Sequence, residues 1–197
     1  MLRLFILPVM TLLMAVTLPE IPNVPVPGDV PPYPEHLTGT FTGGFGEQTC
    51  RSCHFDYDLN PDAGRLAVSG MPERITGGET LEILIRLERE QLGRGGFQLS
   101  ARYADGKQAG SFEVGDNDRT MFSNATSESV EYIQHSPGGS EPLGEHETSW
   151  TITWRAPQSL AGPVTFHIAA NAANGDQSEF GDFIYTEEIT AAIAPDR

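Results

Sequence analysis

Apolar and polar residues alternate with a period of two along most of the chain beyond residue 40. In the stretch 80–87, Leu81, Ile83, Ile85 and Leu87 fall on one face, with Glu82 and Arg86 on the other. That is the pattern of a half-buried β-strand. The stretch 97–103 alternates in the same way and runs into Asp105-Gly106, a hairpin signal. Trp150, Ile152 and Trp154 make a third face, ended by Ala156-Pro157, and Val164, Phe166, Ile168 and Ala170 make a fourth. An Asn174-Gly175 turn and a last strand near 183–185 follow. No stretch carries a 3.6-residue apolar stripe. The pattern predicts an all-β fold, a β-sandwich, with Trp150 and Trp154 in its core rather than on a ligand platform.

The first 38 residues follow other rules. Arg3 and the apolar run 4–16 read as an export signal over residues 1–18, too short for a comfortable membrane span and interrupted by Pro8. With no clean cleavage site, an uncleaved anchor that tethers the chain to a membrane remains an alternative. Seven prolines between positions 19 and 34 make residues 19–38 an extended spacer. A segment 39–64, rich in glycine at its start, then leads into a sandwich expected over 65–190.

Charge narrows the partners. With 27 acidic and 12 basic residues the chain carries −15, a surface that repels nucleic acid and anionic lipid. It suits a soluble exported protein and equally an acidic electron carrier that docks on a basic partner.

Only one place in the chain holds cysteine. Cys50-Arg51-Ser52-Cys53-His54 is the C-x-x-C-H arrangement that attaches a c-type haem. Its two thiols add across the porphyrin vinyl groups and its imidazole ligates iron from the proximal side. The motif therefore predicts one covalent haem c, joined through Cys50 and Cys53, with His54 as proximal iron ligand. A zinc site would need further soft ligands, and no other cysteine supplies them. A thioredoxin-like redox pair would need a βαβ setting that this pattern lacks. A plain disulfide or an unused pair stays open.

Several stretches of the later half resemble the Reeler (reelin-type) domain in the form carried by bacterial secreted proteins. They are Gly95-Gly96-Phe97-Gln98-Leu99-Ser100-Ala101, His135-Ser136 with Gly138-Gly139, and Trp150-Thr151-Ile152-Thr153-Trp154-Arg155-Ala156-Pro157. The stretch 162–176, with its Asn171-Ala172-Ala173-Asn174-Gly175-Asp176, and Gly181-Asp182-Phe183-Ile184-Tyr185 complete the resemblance, which covers about residues 43–188. It implies an immunoglobulin-like β-sandwich in a secreted protein, preceded by an irregular haem-attachment segment, as 43–54 would be here. Animal Reeler domains carry disulfides that this chain cannot make, so an adhesive role does not carry over from them.

A proximal His54 raises the question of a sixth ligand. His135, at the family-like His-Ser-x-Gly-Gly position and expected in a polar loop, is the tentative distal ligand. His167 is expected on the outer side of its strand and near the surface. His146 stands in an acidic loop, His36 in the spacer, and Met71 and Met121 are expected to fill space. Asp116-Asn117-Asp118 and Asn174-Gly175-Asp176 read as Asx turns rather than calcium ligands, and Asn124-Ala125-Thr126 as an unused glycosylation pattern. No hydrolytic or nucleotide-binding motif is present.

The resulting expectation is an exported single-haem c-type cytochrome of the periplasm, cell surface or medium. It would transfer electrons to a redox partner protein rather than catalyse a reaction, with self-assembly of chains left open. Two alternatives stand beside it. One is an adhesion or binding module whose C-x-x-C is disulfide-bonded or idle. The other is a haem sensor or peroxidase with an open sixth position.

Overall fold

The computed structural model describes residues 39–115, 118–123 and 129–195. The leader, the spacer, His36, Asp116-Asn117 and Asn124-Ala125-Thr126 lie outside the described residues. Among the described residues, ten strands form two sheets. The smaller has the order β1 (Gly64–Ser69), β3 (Thr80–Arg89), β8 (Glu147–Arg155), β5 (Ser111–Glu113). The larger runs β2 (Arg74–Ile75), β10 (Phe183–Ile193), β9 (Val164–Ala173), β4 (Arg94–Arg102), β7 (Ile133–His135), β6 (Thr120–Phe122). β2 pairs parallel to β10 and every other ladder is antiparallel. This is the β-sandwich that the alternation predicts, in the immunoglobulin-like form that the resemblance implies.

The long strands are where the periodicity places them, and their register brings the apolar faces together. Leu81, Ile83 and Ile85 lie opposite Trp154, Ile152 and Trp150. On the other sheet, Phe97, Leu99 and Ala101 lie opposite Ala170, Ile168 and Phe166. The sheets then meet through aromatic pairs, Trp150 with Phe97 at 4.8 Å and Trp154 with Phe166 at 5.0 Å between ring centroids. Both indoles also find a carbonyl, of Gly139 at 2.9 Å and of Ala109 at 3.0 Å. A buried polar tip with a partner carries no desolvation penalty. Burial of each such side chain contributes about 2–3 kcal/mol.

Two departures from the sequence pattern matter. Asp105-Gly106 does make a tight turn, with Gly106 N–H on the Tyr103 carbonyl at 2.9 Å. However, the chain leaves it for β5, which pairs with β8 in the opposite sheet, so no hairpin with β4 develops beyond the Arg102–Gln108 bridge. In addition, β4 is buried on both faces, although half-burial was expected. The covering element is residues 39–49, which cross the outer face of the larger sheet as a strap.

The strap is held by polar contacts, because the face it covers is polar. Phe41 N–H donates to Gln98 Oε1 at 2.6 Å, and Gln98 Nε2 returns a bond to the Gly39 carbonyl at 3.1 Å. Thr42 and Ser100 share a hydroxyl contact at 3.4 Å. Arg102, only 4% exposed, makes an ion pair with Glu47. The Tyr132 hydroxyl donates to the same Glu47 oxygen at 2.5 Å. Every charge taken from water there has a partner, the condition under which a buried ion pair is tolerated.

Candidate functional site

The strap hands the chain to the cysteine motif. Thr42 and Thr49 close a bridge, and a 3₁₀ turn follows over Cys50–Ser52. Thr49 caps it, its hydroxyl accepting from Arg51 N–H at 3.2 Å, and the Ser52 hydroxyl donates to the Thr49 carbonyl at 2.9 Å. Threonine and serine favour such local bonds over strand pairing, so the motif turns where it does for a local reason. The Cys53 and His54 amides both donate to the Cys50 carbonyl, at 3.3 and 3.1 Å. Cys50 opens the turn and Cys53 caps it, with His54 directly after.

The two thiols differ in setting. Cys53 is exposed and Cys50 half-buried, and burial pushes the Cys50 thiol up to about 12, against a backbone hydrogen bond that lowers it. Both are free cysteines.

His54 does not hang in solvent. Its Nδ1 lies 2.7 Å from Asp182 Oδ2, and Asp182 is 1% exposed. The two atoms face each other at close range without an aligned hydrogen bond. Asp182 Oδ1 accepts from Asn174 N–H at 3.0 Å. The residues after His54 are pinned as well. Arg51 Nε donates to the Tyr57 carbonyl at 2.7 Å, and Gly181 N–H donates to Asp56 Oδ2 at 2.7 Å. Asn60, in the left-handed region at φ 55°, exchanges hydrogen bonds with the main chain and side chain of Thr186. Phe55 packs edge-on against Phe180 at 5.7 Å, and both rings are about half exposed.

His135 is not in a loop. It ends β7, opposite Thr120 of β6, and its ring is braced on Gly96, where a Cβ would stand 2.8 Å from Cε1. Its Nδ1 lies 3.1 Å from Phe97 N and 3.2 Å from Phe97 O. Burial lowers its basicity, opposed by the bond to the Phe97 carbonyl. The turn at Cys50–Ser52 packs on β9, and β4 lies between β9 and β7, two interstrand steps or about 10 Å. Cys50, Cys53 and His54 are thus brought together, and His135 stands apart on another strand.

The other ligand candidates have ordinary partners. His167 points outward from β9 as expected but is only 8% exposed, because Gly44 and Phe45 of the strap lie on it. Its Nε2 meets Glu188 at 3.2 Å. His146 accepts from Gln91 N–H at 3.3 Å. Met71 packs against the core, and Met121 lies in β6. Asn174 and Asp176 form the expected Asx turn, with Asp176 N–H on Asn174 Oδ1 at 2.9 Å. No cluster of three or more metal-ligating side chains occurs among the described residues.

Asp182, Asp56 and Phe180 are the site residues that sequence reasoning missed. Gly181 and Asp56 lie 125 positions apart, and strand periodicity carries no signal across such a distance.

No family model and no curated protein matches the chain. Among solved structures it is similar to the Reelin-N domain of F-spondin, at 18% identity and a TM-score of 0.48, covering 74% of this chain and 97% of that one. It is also similar to the human F-spondin reeler domain, at 18% identity, TM-score 0.45, covering 70% and 92%. A cohesin module from a Clostridium perfringens family 33 glycoside hydrolase shows 12% identity, TM-score 0.44, and coverage of 68% and 98%.

Proposed function

We propose that the chain is an exported single-haem c-type cytochrome that transfers electrons through a haem held at Cys50, Cys53 and His54. The observation that carries this reading is the geometry of the motif. Cys50 opens a 3₁₀ turn and Cys53 caps it, near enough for one thiol to act on the other, and an imidazole follows whose Nδ1 faces a buried carboxylate at 2.7 Å. Iron-ligating histidines characteristically engage such an acceptor through the nitrogen that does not bind metal.

A bound haem c would supply one-electron chemistry at iron. The chain's own residues do the rest. Cys50 and Cys53 would hold the haem by thioether bonds to its two vinyl groups, and His54 would ligate its iron. The 3₁₀ turn sets the spacing of the two bonds, and Asp182 orients the ring that follows. The strap and the Asn60 contacts fix the turn against the larger sheet. The net charge of −15 favours a basic redox partner.

His135 enters the proposal only in the tautomer that donates Nδ1–H to the Phe97 carbonyl, since that form alone leaves Nε2 a lone pair for iron. A His135→Ala protein that keeps the parent's low-spin spectrum removes it from the site.

The direct test is expression in a host with cytochrome c maturation machinery, followed by a pyridine haemochrome spectrum and an intact mass. An α band at about 550 nm, the expectation for two-thioether attachment, together with a mass one haem heavier, supports the reading. Cys50→Ala with Cys53→Ala should abolish both while leaving the sandwich folded. A haem-free mass two protons light would instead make the pair a disulfide and favour a binding module.

A further inference from the structure

We propose that Asp182 is the positioning residue of the iron ligand: it holds the Nδ1 side of His54, leaves Nε2 to iron, and keeps the iron at low reduction potential. The inference rests on the haem reading above and adds to it a second half of the site, the β9–β10 loop.

The carboxylate is placed rather than incidental. Asp182 is 1% exposed, with one oxygen on Asn174 N–H at 3.0 Å and the other 2.7 Å from His54 Nδ1. That second oxygen has no hydrogen-bond partner among the described residues. Burying a carboxylate with one oxygen unmatched is costly, and the imidazole is the group that faces it.

The loop that presents Asp182 is built to do so. Asn174 Oδ1 accepts from Asp176 N–H at 2.9 Å, and Asn174 Nδ2 donates to the Phe180 carbonyl at 3.2 Å. Asp176 Oδ1 accepts from the Ser178 amide and hydroxyl, both at 2.9 Å. A β9–β10 hairpin needs only a two-residue turn, whereas this connection spans residues 174–182. It uses the extra length on three consecutive residues, His54 and the two that follow it. Asp182 meets His54, Phe180 meets Phe55 at 5.7 Å, and Gly181 N–H meets Asp56 at 2.7 Å. The Asn-Gly-Asp and Gly-Asp pieces of the sequence thereby acquire a role beyond turning the chain.

The electronic consequence follows from the contact. An imidazole whose Nδ1–H faces a carboxylate is a stronger donor at Nε2. A fixed negative charge in a low-dielectric setting also favours ferric over ferrous iron. Both effects move the potential down.

Asp182→Asn tests this, because it keeps the side-chain shape and an oxygen for Asn174 N–H while removing the charge. In the haem-loaded protein, a redox titration should find the midpoint shifted upward relative to the parent. An unchanged midpoint overturns the inference and leaves the cytochrome intact. A second readout needs neither haem nor the Asp182 variant. In the Cys50→Ala/Cys53→Ala chain, the ¹⁵N shifts of His54 should report the Nδ1–H tautomer. A predominant Nε2–H form overturns the positioning role even if Asp182→Asn fails to fold. Failure of the parent to take covalent haem overturns the haem reading itself, while the His54 tautomer still decides whether Asp182 governs the ring.

Discussion

Gly44 lies flat on the imidazole of His167: a Cβ at position 44 would stand 2.5 Å from His167 Cγ. The strap can pass over β9 only because residue 44 has no side chain. Gly44→Ala should therefore lift the strap and lower stability by about 1–3 kcal/mol, the usual cost of overpacking. Gly162, with nothing within 4 Å of its added Cβ, is the control. Denaturant midpoints and limited proteolysis of residues 39–60 measure the effect. Equal behaviour of the two variants would show that the strap does not bear on His167.

Glu47 is the counter-charge of Arg102 beneath the strap, and Arg102 is 4% exposed. Glu47→Ala should cost about 3–5 kcal/mol, because it leaves a buried guanidinium without its partner. Adding Arg102→Met should recover much of that loss, since replacing both partners of a buried pair by apolar groups is often nearly neutral. A double-mutant cycle in urea reads the difference.

His135 gives the haem-free protein a pH dependence of known sign. Burial lowers its basicity in the folded state, so the unfolded chain takes up the proton first as pH falls. The neutral ring's contribution is fully present above the unfolded value of about 6.5 and is lost as pH drops from there toward the lower folded value. Thermal melts of the Cys50→Ala/Cys53→Ala chain between pH 8 and 5 should show this slope. His135→Gln should flatten that part of the curve.

The two thiols should differ in reactivity before haem is attached. Only the thiolate is alkylated, and the Cys50 thiol is pushed up to about 12 by burial while Cys53 is exposed. Iodoacetamide at pH 8 should modify Cys53 well before Cys50, with Cys50 reacting readily only after unfolding. Peptide mass mapping of a time course decides it, and matched rates would show that burial does not suppress the Cys50 thiolate.

Local sequence decided local structure. Leu81, Ile83, Ile85, Trp150, Ile152, Trp154, Phe166 and Ile168 alternate with more polar neighbours. Burying one face of a pleated strand needs nothing more, so β3, β8 and β9 were legible, as was the two-sheet fold. The 3₁₀ turn at Cys50–Ser52 is local too, since Thr49, Ser52 and the three-residue cysteine spacing are all contained in it. Strands of two or three residues such as β2, β5, β6 and β7 escaped, because they exist only by pairing with a neighbour that the tertiary fold brings up. The hairpin expected at Asp105-Gly106 closes but stops at the Arg102–Gln108 bridge for a related reason: turn chemistry sets the bend, not the sheet that the chain joins next. Burial of Gln98, Ser100, Arg102 and His167 also had no signal in the strands that carry them. Their polar alternation points to solvent, and only the docked strap removes them from it. The pairing of His54 with Asp182 is of the same kind. A carboxylate beside a glycine in a β9–β10 loop looks like any turn residue until the sandwich folds that loop onto the cysteine motif.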